Sequence, residues 1–131
     1  MTYLQLCQRL RAECQDIGNG PQTVSNASGR DLRYVNAIRE SWQKIQLMRG
    51  DWDWLLADEP TPLQDLSDDG DEPFIEPEYH AAIVWYALTS EGLTLAAAEL
   101  LMRAQQEWNF YYGLLVSKHV AKLSFGGGEE W

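Results

Sequence analysis

The chain has 131 residues, of which 45% are hydrophobic and 23% charged, and a formal net charge of −10. That describes one globular domain with a modest core, too small for a core plus a separate catalytic module. The acidity argues against direct binding to nucleic acid, which needs a basic surface to displace counterions. No stretch approaches the roughly 18 to 20 apolar residues of a membrane span.

The charge is uneven. Residues 1–49 hold seven Lys/Arg against four Asp/Glu, whereas residues 50–102 hold thirteen Asp/Glu and no Lys or Arg. The opening MTYLQLCQRL lacks the basic start and apolar run of a signal peptide, so export by the usual route is not expected.

Apolar side chains at Tyr3, Leu6, Cys7, Leu10, Cys14 and Ile17 share one helical face, and Thr2 with Gln5 has the spacing of a capping box, which predicts a first helix over 3–17. Cys7 and Cys14 lie about 10 Å apart on that helix, too far for a disulfide, and read as reduced core residues. Gly18, Gly20 and Pro21 end the helix. From about Asp31, a stripe of Leu32, Val35, Ile38, Trp42, Ile45 and Met48 predicts a second helix to about Arg49. Gly50 interrupts it, and Trp52 and Trp54 follow in a further helical turn or a tight corner. Together they carry too much apolar area to leave wholly in water.

Residues 57–78 read as an acidic loop, with four prolines and nine carboxylates that should keep it extended and solvated. Pro77 suits the first turn of a third helix, which is apolar almost all round through Leu88 and should be the most buried element. After a corner at Gly92, a fourth helix over 94–119 carries Ala97, Leu101, Ala104, Trp108, Tyr111 and Leu115, with Leu100 and Tyr112 widening the face. At about 39 Å it outreaches the core of a small domain, so part of it is expected to meet another chain. The expected fold is all-α, a four-helix bundle-like single domain over 1–124, with a flexible Gly-rich tail over 125–131 ending in Trp131.

Little here suggests catalysis. The two histidines, His80 and His119, read as surface or helix-end residues, and there is no phosphate loop, dinucleotide fingerprint or zinc spacing. No catalytic residue, cofactor or metal is expected. One segment carries the skeleton of a calcium loop, with Asp65, Ser67, Asp69 and Glu76 at positions 1, 3, 5 and 12 and Gly70 at 6. Against it stand Pro60 and Pro62 before the loop, Glu72 at position 8 and Pro73 at position 9. The charge asymmetry points instead to protein contacts. Arg30, Arg33, Arg39 and Arg49 are candidates to face the acidic segment of a neighbouring copy, and Trp52, Trp54, Phe125 and Trp131 are candidate anchors at interfaces.

Several segments carry a resemblance. They are Leu4-Gln-Leu-Cys-Gln-Arg-Leu-Arg-Ala-Glu13, Gly20-Pro-Gln-Thr-Val24, Gly29-Arg-Asp-Leu-Arg-Tyr-Val35 running into Ile38, Trp42, Ile45 and Gln46, and Asp51-Trp-Asp-Trp-Leu55. This pattern resembles the head-to-tail adaptor (connector or neck) proteins of short-tailed phages, in a compact form. It covers the first 56 residues well; the apolar helix from Glu78 to Leu88 and the aromatic-studded one over 95–116 are similar more diffusely. The larger insertion of longer relatives is here only the acidic loop. The resemblance implies a virion structural protein, a helical subunit of a ring of twelve copies. The ring docks on the portal protein, presents a platform to the next tail component (nozzle or tail tube) and lets DNA pass without specific binding. It further implies assembly in the host cytoplasm, a place in the virion neck and no membrane. The alternative from charge alone is a small acidic DNA mimic that inhibits a nucleic-acid-binding protein.

Overall fold

A computed structural model describes residues 1–14, 20–90 and 98–120. The fold is all-α. Its helices are α1 (Tyr3–Glu13), α2 (Gly29–Leu47), the single turn α3 (Asp53–Leu56), α4 (Ala81–Ser90) and α5 (Ala98–His119), with a 3-10 turn at Pro77–Tyr79 ahead of α4. Among the described residues there is no strand. One isolated antiparallel bridge joins Trp52 to Val120, so the chain leaving α5 lies against the start of α3.

Helix α1 begins as its sequence dictates. The Gln5 amide donates to Thr2 Oγ1 at 3.2 Å and the Thr2 amide donates to Gln5 Oε1 at 2.9 Å, which is the reciprocal capping box. The helix ends at Glu13, short of the expected Ile17, and residues 15–19 lie outside the described part. Cys7 and Cys14 are both thiols, Cys7 in the core and Cys14 half-buried. Helix α2 starts at Gly29, whose φ of 57° is a left-handed conformation that glycine adopts without a Cβ clash.

Helix α4 packs against α1, α2 and α5, and α1 packs against α2. Ala82, Ile83, Val84, Trp85, Ala87 and Leu88 are all buried, as an all-round apolar helix requires. Each large side chain buried there contributes about 1.5–3 kcal/mol relative to exposure. Trp85 also takes the guanidinium of Arg9 at 5.7 Å and that of Arg103 at 4.9 Å from its ring centre. Glu13 pairs with both arginines, at 2.9 Å and 3.6 Å, so one carboxylate and one indole tie α1, α4 and α5 together.

Helix α5 spans 22 residues, about 33 Å. Only Ala104, Trp108 and Leu115 are buried along it, with Leu100, Tyr111, Tyr112 and Val116 packed at the margins. Its far side leaves Met102 65% and Phe110 60% exposed. The start expected near Thr94 and the corner at Gly92 lie outside the described residues.

Candidate interaction surface

The acidic segment 57–78 is where the structure departs most from a solvated loop. It has no helix before Pro77, as expected, but it folds back over α1 and α2 and buries Leu66, Pro73 and Ile75. Backbone hydrogen bonding explains why. The Tyr3 amide donates to the Asp71 carbonyl at 2.6 Å and the Leu4 amide to the Asp69 carbonyl at 3.2 Å. Two of the donors that a helix N-terminus leaves unpaired are thereby satisfied by the loop. On α2, the Gln64 amide donates to Gln46 Oε1 at 2.8 Å while Gln46 Nε2 donates to the Gln64 carbonyl at 2.9 Å. The Gln64 side chain then accepts from Trp42 Nε1 at 2.8 Å and from the Phe74 amide at 3.1 Å, and donates to the Glu72 carbonyl.

Four of the nine carboxylates of this segment, Asp65, Asp69, Asp71 and Glu76, are hydrogen-bonded within the chain, while Asp58, Glu59, Asp68, Glu72 and Glu78 stay exposed. Asp65 takes a two-pronged hydrogen bond from Arg39, at 2.6 and 2.9 Å, which holds its carboxyl below the usual carboxylate range. Asp71 accepts from the Asp68 and Ser67 amides, both at 2.9 Å, and is lowered for that reason. Asp69 Oδ1 accepts from the Val24 amide at 2.7 Å and from Thr23 Oγ1 at 3.1 Å. The oxygens that a calcium loop would converge on one ion are thus spent on separate partners, and among the described residues no group of three or more potential ligands could hold a metal. Burial, with the nearby Asp69 charge adding to it, pushes the Cys7 thiol up to about 12, so that sulfur stays protonated and inert.

Both histidines are more engaged than the sequence suggested. His80 is buried, not a surface residue. Its Nε2 lies 2.9 Å from the Ile75 carbonyl and 3.1 Å from that of Pro73, and its Nδ1 lies 2.7 Å from the Met1 nitrogen. His119 does sit in the last turn of α5, where a cation suits the helix dipole. Its Nδ1 is 3.1 Å from Asp53 and its Nε2 2.6 Å from Glu76, and the ring meets Trp54 edge-on at 5.2 Å. Burial pushes the Glu76 carboxyl up, but the His119 hydrogen bond, its own backbone amide and the charges of His119 and Lys118 together bring it below its ordinary value.

The expected interface residues separate into groups. Arg39 and Arg49 serve their own chain. Arg39 holds Asp65, and Arg49 grips Asp51 at 2.7 and 2.8 Å and donates to Tyr112 Oη at 2.8 Å, so both make ion pairs within the chain. Trp52 and Trp54 are buried and stacked on each other at 4.8 Å; they are core, because the Trp52–Val120 bridge and the His119 ring close over them. Arg30 and Arg33 stay exposed in the first turns of α2. Phe125 and Trp131 lie outside the described residues.

Sequence reasoning missed an apolar surface at the other end of α2. Leu47 is 70% exposed, Leu56 60% and Leu63 49%, and a groove of about 240 Å³ runs between Leu47, Leu55, Thr61 and Leu63 with Trp54 at its floor. The signal was available, since Leu47 falls off the stripe that carries Ile45 and Met48. Leu32, placed on that stripe, is 42% exposed instead of buried. Comparison with known protein families, with curated proteins and with solved structures finds no match.

Proposed function

We propose that this protein is a virion structural protein, a subunit of the head-to-tail adaptor ring that docks on the portal of a short-tailed phage and links it to the next tail component. The observation that carries the reading is the long helix α5, which spends one narrow face on its own core and leaves Met102 and Phe110 exposed. Exposed large apolar residues on a rigid element suit a component whose work is contact with other chains. The resemblance over the first 56 residues supplies the particular assembly: twelve copies in a ring, DNA passing through without specific binding, and assembly in the host cytoplasm. The acidic surface left on residues 57–78 would keep passing DNA from adhering.

The acidic-mimic reading is supported less well. A mimic of nucleic acid needs carboxylates arrayed outward, whereas Asp65, Asp69, Asp71 and Glu76 are engaged within the chain. Mixing the protein with purified portal rings and imaging the product tests the proposal. Added density of matching symmetry beneath the portal is the expected result, and failure to bind any portal removes it.

A further inference from the structure

We propose that the apolar groove at the C-terminal end of α2 is the seat of this chain's own residues 121–125, with Leu123 and Phe125 laid against Leu47 and Leu63. The path of the chain selects this occupant. Val120, the last described residue, forms an antiparallel bridge with Trp52. In an antiparallel pair each step forward on one segment passes a step backward on the other, so the chain leaving Val120 is aimed along Asp51 toward Gly50 and Arg49. Both of these residues line the groove. The bridge also adjoins the groove's floor, because the Trp52 ring stacks at 4.8 Å on Trp54.

Space and sequence suit that path. A Cβ placed on Gly50 would meet nothing within 4 Å, so the backbone there is open to a second segment. Leu47 and Leu63, 70% and 49% exposed, offer apolar surface that the described residues leave uncovered. Ala121, Leu123 and Phe125 alternate with Lys122 and Ser124, the period of an extended segment with one apolar face. Gly126, Gly127 and Gly128 carry no side chains and end that face. Five residues beyond Val120 reach at most about 17 Å, at about 3.4 Å each, which is ample to pass Gly50, two positions from the bridge. So short a tether gives the chain's own segment an effective concentration on the order of millimolar, an advantage that a second copy's segment lacks.

The contact does not depend on the neck reading, and its test uses the full chain. Amide hydrogen exchange, read by mass spectrometry, should show residues 121–125 exchanging at least about tenfold more slowly than a free peptide of the same sequence. The slowing should not change on dilution from about a millimolar to micromolar. Phe125→Glu on the segment and Leu63→Glu in the groove should each restore the free rate, while the amides of α2 and α4 keep their protection and so show that the variants are folded. Lys122→Glu, on the opposite face of the segment, should leave the slowing intact. Exchange at the free rate in the wild type, slowing that survives Phe125→Glu or Leu63→Glu, or slowing that is lost in Lys122→Glu overturns the proposal. Slowing that disappears on dilution assigns the groove to a second copy and overturns it as well. Slow exchange in a chain that binds no portal refutes only the neck reading.

Discussion

The side-chain amide of Gln46 pairs with both backbone groups of Gln64, accepting from its N–H at 2.8 Å and donating to its carbonyl at 2.9 Å. One buried glutamine on α2 thus substitutes for a neighbouring strand and fixes the acidic segment in register. Everything that segment then does follows from this attachment. It places Gln64 under the Trp42 indole, Asp65 opposite Arg39 and the Asp69 and Asp71 carbonyls over the first turn of α1.

Replacing Gln46 with leucine keeps the volume but leaves the Gln64 amide and carbonyl without partners. An unsatisfied buried polar group costs about 1–3 kcal/mol, so Gln46→Leu should destabilise by about 2 kcal/mol. Urea denaturation should show the midpoint falling. An unchanged midpoint would mean that water replaces the glutamine at no cost.

His119 holds the end of α5 to α3 and to the acidic segment at once. Its two ring nitrogens reach separate carboxylates, Nδ1 toward Asp53 and Nε2 toward Glu76. Charge-assisted hydrogen bonds contribute about 1.5–3 kcal/mol, and the half-exposed Asp53 lowers its share. His119→Ala should therefore cost about 1–2 kcal/mol. A double-mutant cycle with Glu76→Gln should return a coupling of the same sign.

Acid should weaken the fold through specific carboxylates. The Arg39 hydrogen bond lowers Asp65, the Arg49 hydrogen bond lowers Asp51, and backbone amides lower Asp71. A carboxyl lowered in the folded state contributes stability that is fully present above its unfolded value of about 3.9 and disappears as pH falls through the folded value. Urea midpoints should be level from pH 7 to pH 5 with respect to these groups and decline below about pH 4. Asp65→Asn should lower the midpoint at pH 7 and make the decline shallower.

Ser41 Oγ is buried in α2 with no hydrogen-bond partner among the described residues. Removing an unsatisfied polar atom relieves its desolvation, and alanine is also the better helix former. Ser41→Ala should leave the thermal midpoint unchanged or raise it by a few degrees. A loss of more than about 1 kcal/mol would reveal a bound water that the hydroxyl holds.

Local rules carry much of the fold. The Thr2–Gln5 box, the apolar spacing of α2 and the all-round apolarity of α4 are statements about neighbours within one or two turns, and all three helices form, although α1 ends at Glu13 and α4 starts at Ala81 after a 3-10 turn at Pro77–Tyr79. The stripe misled at its start, where Leu32 is exposed instead of buried. The destination of charges was not legible either. Arg39 meets Asp65 across 26 positions of sequence and His119 meets Glu76 across 43, and no periodicity encodes such pairings.

The sequence by itself determined an all-α chain with its acidity confined to one segment and its basic residues weighted to the first third. Tertiary structure decided what that acidity does. Because the unpaired amides of α1 and the amide of Gln46 need partners, the segment is drawn onto the helices. Asp65, Asp69 and Glu76 are then spent on Arg39, Val24 and His119, and at the far end of α2 three leucines and a groove remain uncovered.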